Sequence, residues 1–282
     1  MIAESMDRRS LLLGGAAAAV ALLTRSGKAW AAPFASRRIA VSVQGSGRDV
    51  LLIPGLASGP HIWKAVMAAV PGCRWHLIHV RGFAGLAPDA NISGPLVQPV
   101  ADEIARYIAA AGLSRPAIVG HSMGGTLAML LGLKGAAGRI MVVDMLPEGA
   151  AMVGGTARGM GYLADQLSQY FTGTKAGRAY LAEMLAQAPG AQGSDPDVIA
   201  NALRDLANID LGPQLGRIGA PLDVVYAVGS DPAQASAIGR TFRAAYAPKR
   251  GARLLPIGPS GHMVMQDQPA RFAALLWDFL KA

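Results

Sequence analysis

The pentapeptide Gly120-His121-Ser122-Met123-Gly124 has the Gly-x-Ser-x-Gly spacing that presents a serine hydroxyl on a tight turn between a strand and a helix. The chemistry such a turn serves is nucleophilic attack. Glycines at 120 and 124 remove the Cβ atoms that would collide with a neighbouring strand or helix, so the turn closes sharply and pushes the hydroxyl out over the sheet edge. A helix N-terminus at that point favours the negative charge that develops there. The flanks agree: Pro116-Ala117-Ile118-Val119 is a short apolar run suited to a buried strand, and Thr126-Leu127-Ala128-Met129-Leu130-Leu131 suits a helix. A serine hydroxyl is a weak nucleophile at its own pKa and needs a general base within hydrogen-bond reach. Five histidines are available: His61, His76, His79, His121 and His262. His121 adjoins the serine and is expected to point away from it across the turn. His262 stands in Pro259-Ser260-Gly261-His262-Met263, after the last apolar run.

With this strand, turn and helix, the chain resembles the α/β-hydrolase superfamily in its serine-nucleophile, esterase-like branch. The resemblance implies an α/β-hydrolase fold, with a mainly parallel twisted sheet, helices on both faces and a helical cap insertion. It implies that Ser122 is the nucleophile and His262, in the loop after the final strand, the base. Asp231, in Gly229-Ser230-Asp231-Pro232 after the penultimate strand, would orient that base, giving the chain order Ser122, Asp231, His262. Asp144 is the rival acid, because some relatives carry theirs after the strand that follows the nucleophile. Asp223 and Asp267 read as structural. Pro54-Gly55-Leu56 and Trp63 stand where relatives have His-Gly-x and a later tryptophan, which implies the backbone N–H groups of Leu56 and Met123 as oxyanion donors. Two departures stand out. Proline replaces the usual histidine, and the family's Asp-x-Arg-Gly-x-Gly-x-Ser turn is met only in part, with His79 for the acid and Arg81-Gly82-Phe83-Ala84-Gly85 after it.

The activity this implies is hydrolysis of a small carboxylic ester through an acyl-enzyme, with no cofactor and no metal. Lactonases, amidases, C–C bond hydrolases and cofactor-free perhydrolases use the same constellation, and fold alone does not separate them. Serine at the turn argues against haloalkane dehalogenases and epoxide hydrolases, whose relatives use aspartate there. A protein of this fold that binds a ligand without turnover has no need of Ser, His and Asp in three loops.

A scaffold must hold those loops. Residues 38–43 alternate and predict a first strand, while 49–53 form a fuller apolar run suited to a strand covered on both faces. Further strands are expected at 75–80, 138–144, 221–228 and 252–257, and helices at 63–70, 100–111, 235–246 and 269–280. This alternation predicts a mainly parallel sheet between two helical layers. From 146 to 217 strand-like runs vanish and Gly, Ala and Met become frequent, with helices expected at 162–171, 178–187 and 197–206. The resemblance places a cap there, between core segments 38–145 and 218–282. Its Met, Tyr and Phe residues suit an apolar wall over a pocket, although core packing accounts for any single one of them.

Residues 1–31 carry a signal-peptide layout: Arg8-Arg9, an apolar stretch over 11–23, then Ala29-Trp30-Ala31. The arginine pair resembles a twin-arginine export signal. The apolar stretch is shorter than the roughly 20 residues that span a bilayer. Export to a bacterial periplasm or beyond is expected, with cleavage after Ala31 and no stable membrane anchor afterwards. The formal charge of +8 falls to +6 without this segment, and its basic residues are scattered rather than clustered, which excludes a nucleic-acid footprint. The expected partner is a small-molecule ester. Cys73 is the only cysteine, so no intramolecular disulfide forms, and no Cys/His spacing suits zinc.

Overall fold

The computed structural model describes residues 34–153 and 192–282. The expected signal segment and the expected helices at 162–171 and 178–187 lie outside them. Seven strands form one sheet: β1 (Ile39–Gly45), β2 (Arg48–Ile53), β3 (Cys73–Val80), β4 (Ala117–His121), β5 (Arg139–Val143), β6 (Leu222–Ala227) and β7 (Arg253–Ile257). Their order is β1-β3-β2-β4-β5-β6-β7, with β1 antiparallel to β3 and every other pair parallel. The inner strands are apolar on both faces because helices cover both. Val50, Leu51, Leu52 and Ile53 of β2 are all buried, whereas the edge strand β1 exposes its second half.

On one face lie α2 (Val97–Ala110) and α3 (Met123–Leu133), whose Val100, Ile104 and Leu127 join Leu51 and Ile118 in one core. On the other lie α1 (Lys64–Ala69) and α7 (Pro269–Lys281), where Trp63, Val66, Phe272 and Leu276 pack against Leu52 and Val119. Trp63 is fully buried against Phe272, so the tryptophan matched to the family pattern belongs to the core. The remaining helices are α4 (Pro196–Asn208), α5 (Pro232–Tyr246) and the short α6 (Val264–Asp267).

Three helices begin elsewhere than the apolar pattern predicts, each for an identifiable reason. The helix expected from Trp63 opens with a 3-10 turn, Pro60–Trp63. Helix α2 starts at Val97 because the Asp205 carboxylate, from α4, accepts the N–H groups of Leu96 and Val97 at 2.6 and 2.8 Å. Helix α5 starts at Pro232 because Asp231 caps it, its Oδ1 accepting the Ala233 N–H at 3.0 Å. Asp195 caps α4 in the same way, through the N–H groups of Asp197 and Val198. Among the described residues no helix is long and apolar enough to cross a membrane.

Candidate active site

Every element of the site sits at the carboxyl ends of the parallel strands. The turn from β4 to α3 puts Ser122 at φ 52°, ψ −123°, a left-handed conformation that a serine adopts only when its surroundings hold it there. They do so here. The Ser122 N–H donates to the Val143 carbonyl of β5 at 2.9 Å, and the Gly125 N–H returns to the Ser122 carbonyl at 2.7 Å. A Cβ on Gly120 would run into the Gly124 carbonyl, and one on Gly124 into the Ile53 carbonyl of β2. The two glycines are the condition for the sharp turn.

Beside it, the Asp144 carboxylate receives the imidazole of His262, with Nδ1 and Oδ2 2.7 Å apart. The other oxygen, Oδ1, accepts the Ala227 N–H at 2.9 Å, and the Asp144 N–H donates to the Val225 carbonyl at 2.8 Å. Asp144 is therefore clamped between β5 and β6 with φ at 51°. It is buried, while the His262 side chain is 44% exposed. With Nδ1 on the carboxylate, Nε2 is the nitrogen left for proton transfer.

This corrects the assignment of Asp231. Asp231 is exposed and its carboxylate is spent on the N-terminus of α5, whereas Asp144 is the acid that touches His262. The feature read as a family turn, Asp before Pro, is a helix cap with proline at the first helical position.

His121 adds a part that the sequence does not reveal. Its Nε2–H donates to the backbone carbonyl of His262 at 2.9 Å, with the two rings 4.6 Å apart. Burial, and next the charge of His262, push its pKa down to about 4. A neutral imidazole thus braces the loop that carries His262. Its Nδ1 has no hydrogen-bond partner among the described residues.

The loop carrying Leu56 is a tight turn, with the Ser58 N–H on the Gly55 carbonyl at 3.2 Å and Ala57 at φ 57°. It lies directly over the serine, since a Cβ on Gly55 would be 3.0 Å from both the Ser122 Cβ and the His121 Nδ1. Ser194 fastens it: its hydroxyl donates to the Ala57 carbonyl at 3.0 Å and accepts the Ala84 N–H at 2.8 Å. Nothing in the sequence around Ser194 signals this contact. The partly matched turn at 81–85 is closed by His79, whose Nε2–H donates to the Phe83 carbonyl at 2.8 Å; burial lowers the pKa of that imidazole. Met123 is the first residue of α3, where helix N–H groups have no partner within the helix. Among the described residues, no group of three or more His, Cys, Asp or Glu is placed to hold a metal ion.

The model of the alpha/beta hydrolase family matches residues 50–275. The chain belongs to that family. No protein with a curated description matches this hydrolase. Among solved structures it is similar to an esterase from Exiguobacterium antarcticum, at 19% identity over 86% of this chain and 96% of that one, with a TM-score of 0.65. An enol-lactonase from Burkholderia xenovorans LB400 aligns at 18% identity over 86% and 96%, with a TM-score of 0.63. A hydrolase from Pseudomonas aeruginosa PA01 aligns at 21% identity over 86% and 94%, with a TM-score of 0.66. At such identities these structures establish the hydrolase fold.

Proposed function

We propose that this hydrolase is a serine esterase acting on small carboxylic esters, with Ser122, His262 and Asp144 as its triad. The observation that carries the reading is the His262–Asp144 pair at 2.7 Å beside a serine held at positive φ. Ser122 Oγ attacks the ester carbonyl carbon as its proton passes to His262 Nε2. Asp144 holds the imidazole in the required tautomer and stabilises its cation. The negative oxygen is received by the backbone N–H groups of Leu56 and Met123, donors worth roughly 3–4 kcal/mol each in comparable sites. Collapse breaks the bond to the alcohol oxygen, which takes the proton from His262. Water, deprotonated by His262, then attacks the acyl-serine, and the acid leaves. The esterase and lactonase names among the structural neighbours support ester and lactone carbonyls as the reacting group.

Hydrolysis of chromogenic esters of graded acyl length by the wild type and Ser122→Ala tests this. Short-ester turnover should fall by about 10⁶ in the variant. Turnover that survives the substitution would overturn the assignment. We also propose that residues 1–31 direct twin-arginine export. Arg8→Lys with Arg9→Lys should leave uncleaved precursor inside the cell, and an exported product of unchanged size would refute the proposal.

A further inference from the structure

A cavity of about 430 Å³ opens on the His262–Asp144 pair. Leu146, Met152, Ile238 and Phe242 give it apolar walls, and Gln234 and Thr241 are placed along its α5 side. Among the described residues that line it, the only ionisable groups are Asp144 and His262, which are bound to each other. Ser122, Leu56 and Met123 are not among those lining residues. The cavity therefore lies on one side of the reaction centre.

Which side follows from the sheet order. Leu56 follows β2, Ser122 follows β4 and Asp144 follows β5, while the cavity is walled by the loops after β5, β6 and β7 and by α5. The carbonyl oxygen of a bound ester must point toward the β2 side, where the Leu56 amide is. The oxygen that leaves must be next to His262, because that imidazole protonates it as the carbon–oxygen bond breaks. The substituent on the leaving oxygen then projects past His262, toward β6 and β7. That is where the cavity is.

We infer that this cavity receives the alcohol part of the substrate, and that the enzyme prefers esters of neutral, mainly apolar alcohols the size of one ring or larger. This rests on the esterase reading. An apolar cavity of about 150 Å³ accommodates benzene, so the volume here is ample for a benzyl or cyclohexylmethyl group. Among the described residues no lysine or arginine lines it to pair with an acidic alcohol, and the Asp144 carboxylate at its edge disfavours anions. The Gln234 amide and Thr241 hydroxyl offer hydrogen bonds to one further neutral polar group.

The test is a series of acetate esters, methyl, ethyl, butyl, cyclohexylmethyl and benzyl, followed by release of the common acetate product. In the wild type, kcat/KM should rise at least about 10-fold from methyl to benzyl, in keeping with what a few buried apolar groups contribute to discrimination. Ile238→Trp, at a half-buried position of α5, narrows the cavity and should cut the benzyl-to-methyl ratio about 10-fold. Ile238→Ala should move the optimum to bulkier alcohols. A flat alcohol profile in an active enzyme would overturn the inference and leave the esterase reading intact. A tryptophan that instead changes the preference for acyl length would assign the cavity to the acid and also overturn it. A wild type inert toward every ester would sink both.

Discussion

Among the described residues two histidine–aspartate pairs stand at opposite ends of the strands, and one of them is arranged to move protons. At the carboxyl end His262 Nδ1 meets Asp144 at 2.7 Å. Toward the other end, where Asp49 stands near the start of β2, His76 Nε2 from the middle of β3 meets it at 2.9 Å. The two differ in the second ring nitrogen. His76 Nδ1 is 2.6 Å from the Tyr107 hydroxyl, and the ring is only 4% exposed. Both nitrogens are committed, so the pair fastens α2, through Tyr107, to β2 and β3. Asp49 is held further by two guanidinium nitrogens of Arg74, Nε and Nη2, which keep its carboxyl below the usual carboxylate range. His262 keeps a nitrogen open at a half-exposed site beside a strained serine. A histidine–aspartate contact is a building element until one nitrogen is left over and something beside it can lose a proton.

The largest way to break this comparison is Asp144→Asn. The amide keeps the shape but offers an N–H where His262 needs an acceptor, turning the ring to the wrong tautomer. On the precedent of serine triads, kcat should fall by about 10⁴, or about 5 kcal/mol of transition-state stabilisation. Urea unfolding should show a far smaller change. Retention of full kcat would remove Asp144 from the triad.

A pH titration sharpens the contrast, because the two ends lose protons in different windows. His121, the buried brace of the His262 loop, titrates near 4 in the fold and near 6.5 unfolded. Between those values the unfolded chain binds more protons, so stability is complete above pH 6.5 and drains as pH falls toward 4. The loss from this group is about 3 kcal/mol. Asp49 has a lowered pKa, so its contribution persists through that window and disappears only below the ordinary carboxylate pKa near 4. In His121→Gln the amide still offers a donor to the His262 carbonyl and does not titrate. Its unfolding free energy should be flatter than that of the wild type from pH 6.5 to 4; parallel curves would show that His121 is not neutral in the fold.

How far the sequence reveals all this depends on the range of each interaction. The seven strands, the serine turn and the loop of His262 are legible because apolar runs and glycine spacing are local. The turn that carries Leu56 is legible as a loop, although nothing in Pro54-Gly55-Leu56 points to Ser194 as its fastening, more than a hundred residues away. The His76–Asp49–Tyr107 chain is equally silent, since its members lie 27 and 31 residues from His76. The acid is the instructive case. Asp144 and Asp231 both follow apolar strands, and what separates them is which strand end lies within reach of the loop after β7. The Asp-Pro pair was a local clue of the other kind, a cap signature that outranks a loose family turn.

At the far end, Asp49→Ala leaves the buried His76 nitrogen without its acceptor and releases Arg74. An expected cost of about 2 kcal/mol should appear in urea unfolding, with kcat unchanged. A comparable fall in kcat would mean that the two ends are coupled through the sheet, and the division of labour drawn above would fail.

The smallest effect decides the acid most directly. Asp231→Ala removes the acceptor for the Ala233 N–H at the start of α5 and should cost about 1 kcal/mol of stability, the ordinary value of a lost cap. Fraying would begin in the turn that carries Gln234, on the wall of the alcohol cavity, so a modest rise in KM for benzyl esters is expected while kcat holds. The two aspartates then give opposite signatures, kcat without stability for Asp144 and stability without kcat for Asp231. If instead Asp231→Ala lost kcat by orders of magnitude and Asp144→Asn did not, His262 would have to change partners during the reaction, and the contact with Asp144 would belong to the resting enzyme alone.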